Sequence, residues 1–128
     1  MTAIYHRIPG GPEPVAPYSH AVEADGWLFV TGQIASGEAG APLPTGIEAE
    51  TRKVFDNLQF ILRGLDLGLE HVVFARVYLT EFKEDYAAMN KLYRSYFAED
   101  RLPGRTCVGV TALADGARVE IDFIARRP

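Results

Sequence analysis

Four side chains that could bind or activate a small polar molecule lie in two short segments near the C-terminal end of the sequence. Arg105 and Cys107 belong to the first segment, and Glu120 and Asp122 belong to the second. Polar and apolar residues alternate in both, which is typical of strands with one buried face. If the intervening valine and isoleucine residues face a core, all four polar side chains project from the opposite face. Burying them there is unfavourable, so the sequence predicts that this face is either hydrated or a binding site.

The spacing between the two segments predicts how they pair. Residues 113–117 separate them and are typical of a hairpin loop. The antiparallel register that keeps cross-strand partners on one face pairs Val110 with Val119. That register places Arg105 four residues from Glu120, an offset of roughly 13 Å at about 3.3 Å per residue. We therefore expect these two residues of one chain to act on different ligand molecules, and a neighbouring subunit to complete each site.

Composition limits the class of protein. The chain has 128 residues, of which 48% are hydrophobic and 23% charged, as expected for one globular domain over residues 1–128. Its net charge of −4 argues against sequence-independent nucleic-acid binding. The sequence has neither an apolar run of membrane-spanning length nor a signal-peptide pattern. A single cysteine excludes an internal disulfide, so we expect a cytoplasmic protein.

The N-terminal part must supply the first strands of the fold. Residues 9–17 are rich in proline and glycine and predict a fixed, irregular lead-in. Residues 21–24 and 27–31 predict two strands joined at Asp25-Gly26, a strong hairpin signal. Residues 36–46 then form a surface loop rich in glycine and proline.

Two helices and a further strand follow. Thr45 and Glu48 fit a capping box that opens the first helix, and Gly68 closes it. Its apolar residues recur at helical spacing: Val54, Phe55, Leu58, Ile61, Leu62 and Leu65. Residues 72–80 are β-branched and aromatic, which predicts a strand. The second helix carries one stripe of large side chains: Tyr86, Met89, Tyr93 and Phe97.

The resulting order is β-β-α-β-α-β-β, because Leu102-Pro103-Gly104 ends the second helix before the last two strands. This order predicts an α+β fold with two helices on one face of a sheet. The other face must be hydrated or covered, and oligomerisation is the usual cover.

The sequence resembles the Rid proteins, the reactive-intermediate deaminases also called YjgF or liver perchloric-acid-soluble proteins. The most specific match is the C-terminal signature over residues 103–108 and 119–125. Weaker matches run through nearly the whole chain: Pro17-Tyr18-Ser19, Thr31-Gly32-Gln33-Ile34, Asn57-Leu58, Asn90-Lys91-Leu92-Tyr93 and Phe97. The chain departs from the RidA-type pattern at His20, where glutamine is expected, at Gly104 for alanine, and at Gly109 for glutamate.

The resemblance implies a chorismate-mutase-like subunit that assembles as a homotrimer, with sites between subunits. It also implies hydrolysis of short 2-imino acids, such as 2-iminobutanoate and 2-iminopropanoate, to 2-keto acids and ammonia without a cofactor. The residues that match the family site are Arg105, Cys107, Glu120, Tyr18, Thr31, Gly32 and Asn90. His6, His20 and His71 lack metal-ligand spacing, which argues against a metal site.

Arg105 and Glu120 are the expected catalytic pair. An arginine fork can bind a carboxylate bidentately, although a surface arginine in a hydrated ion pair is the alternative. Glu120 can position or deprotonate the attacking water, and the alternative is an exposed strand glutamate. For Cys107 the resemblance implies binding through the backbone, and a strand cysteine is more often a small packed residue than a nucleophile.

The remaining candidates have equally plain alternatives. Asn90 either reaches the ligand or hydrogen-bonds a backbone group. Tyr18 either closes over the ligand or is a partly buried anchor. Thr31 and Gly32 end a strand, where a glycine permits close approach of ligand and backbone.

Three other functions remain open. A pathway-specific deaminase of the same family, for instance one acting on 2-aminomuconate, would need a second cationic or donor group, for which His20 is a candidate. A ribonuclease or translation inhibitor fits poorly with an acidic chain that lacks paired histidines. A non-catalytic module that binds a small ligand would keep the Arg105 pocket without turnover.

Overall fold

One six-stranded sheet with two α-helices on one face forms the fold. The computed structural model describes residues 2–12, 14 and 16–128. The elements are β1 (Ile4–His6), β2 (Ala21–Ala24), β3 (Trp27–Gln33), α1 (Ile47–Gly64), β4 (Val72–Leu79), α2 (Phe82–Ser95), β5 (Gly104–Gly109) and β6 (Val119–Arg126). The strand order in the sheet is β1-β2-β3-β6-β4-β5. The predicted α+β fold is confirmed, with β1 as an additional edge strand too short to show a periodicity in the sequence.

The first hairpin forms where the sequence predicts it. Strands β2 and β3 pair antiparallel, with Ala24 opposite Trp27. Asp25 and Gly26 between them have φ of 52° and 81°, the left-handed conformations that a tight two-residue hairpin turn requires. Part of the proline-rich lead-in, namely residues 13 and 15, lies outside the described residues; the described remainder contains no helix or strand.

Helix α1 has the predicted buried face but different ends. Its six predicted apolar residues are all buried, at 0–3% exposure. The capping box at Thr45 is wrong, because Gly46 (φ 96°) is the N-cap and no side chain caps the helix. The C-terminal prediction is also wrong: the chain leaves the helix after Gly64, and Asp66 takes the left-handed conformation at φ 59°. Gly68 is extended at φ −134°, so its conformational freedom is not used there.

The predicted C-terminal hairpin is wrong. Strand β5 pairs parallel with β4 at the edge of the sheet, and β6 lies between β3 and β4. Val119 is therefore opposite Leu79 instead of Val110, whose N–H donates to the Leu79 carbonyl at 2.9 Å. The central place suits β6 because its helix-facing residues are apolar and fully buried, whereas β5 has the exposed residues of an edge strand.

The polar groups of β5 face the helices. Arg105 and Cys107 are in register with Ala75 and Val77, both of which are 0% exposed under the helices. Val108, expected in the core, is 40% exposed on the other face. The prediction that all four polar groups share one face is therefore wrong for β5.

The polar groups of β6 do lie on the face that the helices leave open. Glu120 is in register with Tyr78, and Asp122 is in register with Arg76. The two carboxylates therefore project away from the helices, on the opposite side of the sheet from Arg105.

The open face also carries a continuous row of apolar side chains. Successive registers align Tyr5, Val22, Phe29, Ile124 and Phe74 across five adjacent strands. Tyr5 is 70% and Phe29 49% exposed. A contiguous exposed apolar row of this kind is typical of an interaction surface. Within the described ranges no helix is long and apolar enough to cross a membrane.

Candidate active site

A first cleft, which we call the Glu120 cleft, brings together several of the predicted site residues. It has a volume of about 270 Å³ and is lined by Tyr18, Thr31, Gly32 and Glu120, among others. These residues come from the lead-in segment, the end of β3 and the start of β6. They are far apart in sequence, and the sheet brings them to one edge of the open face.

Gly32 makes room for the Glu120 carboxylate. The pairing of β3 with β6 is irregular between Val30 and Gln33, which turns this part of β3 relative to its neighbour. A Cβ on Gly32 would overlap the Glu120 carboxylate and lie 3.1 Å from its Cδ. A larger residue at position 32 would therefore displace the glutamate side chain from its place across the strand.

The environment of Glu120 favours its protonated form. Burial raises the pKa of the Glu120 carboxyl, and the nearby negative charge of Asp122 raises it further. Asp122 itself is paired, with Arg76 Nε donating at 2.9 Å and the Tyr78 hydroxyl at 3.4 Å. Across the described part of the chain, no such donor reaches Glu120. A carboxyl with a raised pKa in a cleft is a candidate general base.

Thr31 ties the lead-in segment to the sheet. Its hydroxyl donates to the Ser19 carbonyl at 2.6 Å, and its backbone N–H donates to the His20 carbonyl at 3.0 Å. These bonds hold the segment that carries Tyr18 over the end of β3. Thr31 therefore shapes the wall of the cleft, and its hydroxyl proton is already used.

A second cleft, the Arg105 cleft, contains the remaining polar candidates. It has a volume of about 470 Å³ between α2 and the start of β5, with Asn90, Tyr93 and Arg105 in its lining. The Arg105 guanidinium carbon lies 4.8 Å from the ring centroid of Tyr93 and 5.9 Å from that of Tyr86. Among the described residues, no carboxylate is within ion-pair distance of Arg105. Its N–H donors are therefore available to an anionic ligand.

Two buried polar atoms of residues that line this cleft have no hydrogen-bond partner in the described structure. They are Asn90 Oδ1 and the Tyr93 hydroxyl. Asn90 thus lines the cleft and has an unsatisfied acceptor, in place of the backbone hydrogen bond that was its alternative. An unpaired buried amide oxygen is unfavourable, so Asn90 Oδ1 is typical of an acceptor that a ligand or a water molecule satisfies.

Cys107 contributes to the packing of the domain. Its side chain is partly buried and packs against the hydrophobic core. Burial raises the pKa of the Cys107 thiol, and the charge of Arg105 only partly opposes this. The group is therefore a neutral thiol at physiological pH, which is a poor nucleophile.

The predicted site residues form two separate groups within one chain. Arg105 aligns with Ala75 and, across β4, with Phe123, which is three residues from Glu120. Two strand spacings and three residues of offset separate the Arg105 and Glu120 backbones by about 14 Å, and their side chains leave opposite faces. The expected separation thus remains, although the register from which it was predicted is wrong.

His20 has no free nitrogen for a ligand. It is 4% exposed; its Nδ1 accepts the Ile8 N–H at 2.8 Å, and its Nε2 donates to the Pro12 carbonyl. Both ring nitrogens thus fix the lead-in segment, which argues against the idea that His20 binds a second carboxylate. The other two residues that differ from the RidA-type pattern are Gly104 and Gly109. They lie on edge strand β5, beside Phe74 and Phe82 respectively.

The aromatic contacts of Arg105 are not predicted by the sequence. The spacing predicts that Tyr86 and Tyr93 share one stripe of the second helix, and the structure shows that Tyr86 is 37% exposed and that both rings lie near the guanidinium. The available signal was the spacing of Tyr86, Asn90 and Tyr93, which places all three on one helix face. That β5 lies beside this face is a property of the sheet order, which the spacing does not contain.

A family model described as Endoribonuclease L-PSP, another name of the Rid proteins, matches residues 10–127. The chain belongs to the Rid family. One Rid-family relative is a RutC family protein from Aquifex aeolicus, 36% identical over 93% of this chain and 95% of its own. A mouse protein named 2-iminobutanoate/2-iminopropanoate deaminase is 34% identical over 89% of this chain and 84% of its own.

Solved structures agree with the Rid-family assignment. A protein of the conserved Rid family from Yersinia pestis has a TM-score of 0.90 and 29% identity, and the match covers 98% of this chain and 100% of that one. The chorismate-mutase-like α+β fold expected from the sequence is therefore confirmed.

Proposed function

We propose that this Rid-family chain hydrolyses short 2-imino acids, such as 2-iminobutanoate and 2-iminopropanoate, to 2-keto acids and ammonia. The name of the mouse relative supports this substrate class. The observation that carries the proposal is the state of Arg105, a partly buried guanidinium with aromatic neighbours and no carboxylate partner in the described chain. Such an arginine can bind the substrate carboxylate with two parallel hydrogen bonds.

Glu120 supplies the proton transfers in this proposal. Its carboxylate accepts a proton from water while the water oxygen bonds to the imine carbon. Glu120 then passes that proton to the nitrogen and accepts the proton of the new hydroxyl group, so that the carbon–nitrogen bond breaks, ammonia leaves and the carbonyl forms. A protonated imine is already electrophilic, so positioning the water and the carboxylate is enough to accelerate its hydrolysis. The cleft around Gly32 and Tyr18 holds the reacting groups.

Self-association completes the proposed site. The two clefts are separate in one chain, and the apolar row on the open face needs a partner. We propose that the Arg105 cleft of one subunit meets the Glu120 cleft of the next in a homotrimer, as the family resemblance implies. In a closed ring each subunit uses two different surfaces, so all three interfaces are equivalent and each contains one site.

The direct test is the lifetime of freshly generated 2-iminopropanoate and 2-iminobutanoate with and without the protein. An amino-acid oxidase generates the imine from alanine or 2-aminobutanoate, and semicarbazide traps what remains. The protein should shorten the lifetime of both imines, and the Arg105→Ala protein should not. Unchanged lifetimes with the folded wild-type protein would contradict the proposal and favour a module that only binds its ligand.

Subunit mixing tests the shared site. Inactive Arg105→Ala and Glu120→Ala proteins are dissociated, mixed in equal amounts and reassociated. Half of the subunits retain each residue, so about a quarter of the interfaces in random trimers pair an intact Arg105 with an intact Glu120. Recovery of about a quarter of wild-type activity is expected. No recovery after confirmed subunit exchange would mean that one chain provides both residues.

A second substrate class is favoured by the charges around the Arg105 cleft. Lys91 and Arg94 also line it, and no acidic residue of the described chain does. An imine or enamine with a second carboxylate, such as 2-aminomuconate, would find a cationic partner there. If this class is the substrate, Lys91→Ala should lower kcat/KM for a dicarboxylic imine and leave that for 2-iminopropanoate unchanged.

A further inference from the structure

The Arg105 guanidinium is oriented by contacts other than an ion pair in the described structure. A carboxylate is one group that can fix the orientation of a guanidinium, by accepting two parallel N–H groups. None is within ion-pair distance of Arg105 in the described ranges, and Arg105 lies on edge strand β5, where it is only partly buried. The groups that do contact the guanidinium are the rings of Tyr93, at 4.8 Å, and Tyr86, at 5.9 Å.

An aromatic ring is well suited to hold this arginine. The negative face of the ring attracts the cation without accepting its N–H groups, so the donors remain free for a ligand. A carboxylate in the same place would compete with the substrate carboxylate for those donors. The ring therefore fixes the guanidinium plane and leaves its donor edge available.

Tyr93 is itself held rigidly enough to act as a support. It is 5% exposed, and its ring packs against Phe55 at 5.8 Å and Phe97 at 5.0 Å between centroids. Tyr86 is 37% exposed and stacks on Phe82 at 4.7 Å. The buried Tyr93 ring is thus the fixed contact, and Tyr86 is the outer one.

We infer that Tyr93 is a positioning residue for the proposed hydrolysis: its ring holds the Arg105 guanidinium in the orientation that binds the substrate carboxylate. This inference rests on the proposed function. The Tyr93 hydroxyl makes no hydrogen bond in the described structure, so the contact that holds the arginine is the one with the ring. Burial raises the pKa of Tyr93 to about 12, so the ring beside Arg105 stays neutral at physiological pH.

The test compares three variants by KM and kcat for 2-iminopropanoate. Tyr93→Leu removes the ring but keeps an apolar side chain, and it should raise KM by about threefold to thirtyfold, the range of a cation–π contact, with kcat little changed. Tyr93→Phe keeps the ring and should restore KM to within about twofold of wild type. If Tyr93→Leu does not fold, Tyr93→Met takes its place.

Tyr96→Leu is the matched control. Tyr96 immediately follows α2 and stacks on Phe55 with centroids 3.9 Å apart, so its removal damages the same aromatic cluster, but Tyr96 has no contact with Arg105 in the described structure. It should lower the melting temperature while leaving KM unchanged. Equal increases in KM for Tyr93→Leu and Tyr96→Leu would reduce Tyr93 to a packing role and overturn the inference, as would a failure of Tyr93→Phe to restore KM.

A binding measurement separates this inference from the proposed function. Calorimetric titration with pyruvate, which has the same carboxylate but is not hydrolysed, reports on Arg105 without turnover. If the wild type binds pyruvate but hydrolyses no imine, the proposed reaction is wrong, while weaker binding by Tyr93→Leu still supports the positioning role. If the wild type binds no pyruvate, or Tyr93→Leu binds it equally well, the inference is wrong.

Discussion

The Glu120 carboxylate lies against Gly32, in the space that any larger residue at this position would fill with its Cβ. This contact joins β6 to the irregular end of β3 and directs the carboxylate into the Glu120 cleft. The orientation of Glu120, the proposed general base, therefore depends on the absence of a Cβ at Gly32 on the neighbouring strand.

Gly32→Ala should displace Glu120 and lower kcat/KM by at least about tenfold, because proton transfer requires the base within hydrogen-bond reach. Gly37→Ala is the matched control, since a Cβ there meets only the Lys53 side chain at 3.8 Å. Both variants should remain folded by circular dichroism. Full activity in Gly32→Ala would show that the position of Glu120 is not critical.

Arg105→Ala should lower kcat/KM by at least about a hundredfold, because two charge-assisted hydrogen bonds contribute about 3 kcal/mol or more. Arg105→Lys should recover little, since an ammonium group cannot bind a carboxylate bidentately. The oligomeric state, measured by light scattering, should be unchanged in both. Near-normal activity of the alanine variant would rule out the carboxylate clamp.

Cys107→Ser should keep activity within a few-fold of wild type. The raised pKa of the thiol leaves it neutral, and the family resemblance implies that the backbone of this residue serves the ligand. The measurement is kcat/KM for 2-iminopropanoate, together with the melting temperature to report on packing. Complete inactivation with an intact fold would indicate thiol chemistry instead.

Glu120 should make stability and activity respond to pH in opposite directions. Its folded-state pKa lies above the ordinary value of 4.5 for a glutamate, chiefly through burial. The folded protein then keeps a proton that the unfolded chain has lost, so stability falls as pH rises from about 4.5 through the raised pKa. Activity should rise over the same range, because the base must be ionised.

Glu120→Gln tests both halves of this expectation. Relative to wild type, the variant should gain stability between about pH 4 and pH 7 in urea unfolding at a fixed protein concentration, while losing activity. Burial also raises the pKa of Glu50, so Glu50 should contribute equally to the pH dependence of the free energy of unfolding in both proteins. Glu38→Gln, at an exposed carboxylate, is the control. Identical pH slopes for Glu120→Gln and wild type would contradict the buried, protonated state.

Features set by neighbours in the chain could be predicted from the sequence. The hairpin at Asp25-Gly26 follows from two residues that tolerate positive φ between two alternating segments. The buried face of α1 follows from its helical spacing, although its ends differ because Gly46 and Asp66, and not Thr45 and Gly68, have the terminating conformations.

The pairing of the last two strands could not be predicted in this way. The alternation of polar and apolar residues shows that residues 105 and 107 lie on one face of their strand, and that residues 120 and 122 lie on one face of theirs. It does not show whether these two faces are on the same side of the sheet. That relation depends on β4, which lies between β5 and β6 and pairs parallel with one and antiparallel with the other. Backbone hydrogen bonds form equally well with either neighbour, so the choice depends on burying the whole apolar face of β6.

The sequence by itself determined the fold class, the family resemblance and the residue types of the candidate site, because local periodicity and motif spacing carry that information. Only the tertiary structure decided that Arg105 and Glu120 face opposite sides of the sheet and that aromatic rings flank Arg105. These properties follow from the order of strands in the sheet. Strand order depends on contacts between distant segments, each of which can accept more than one partner until the core closes.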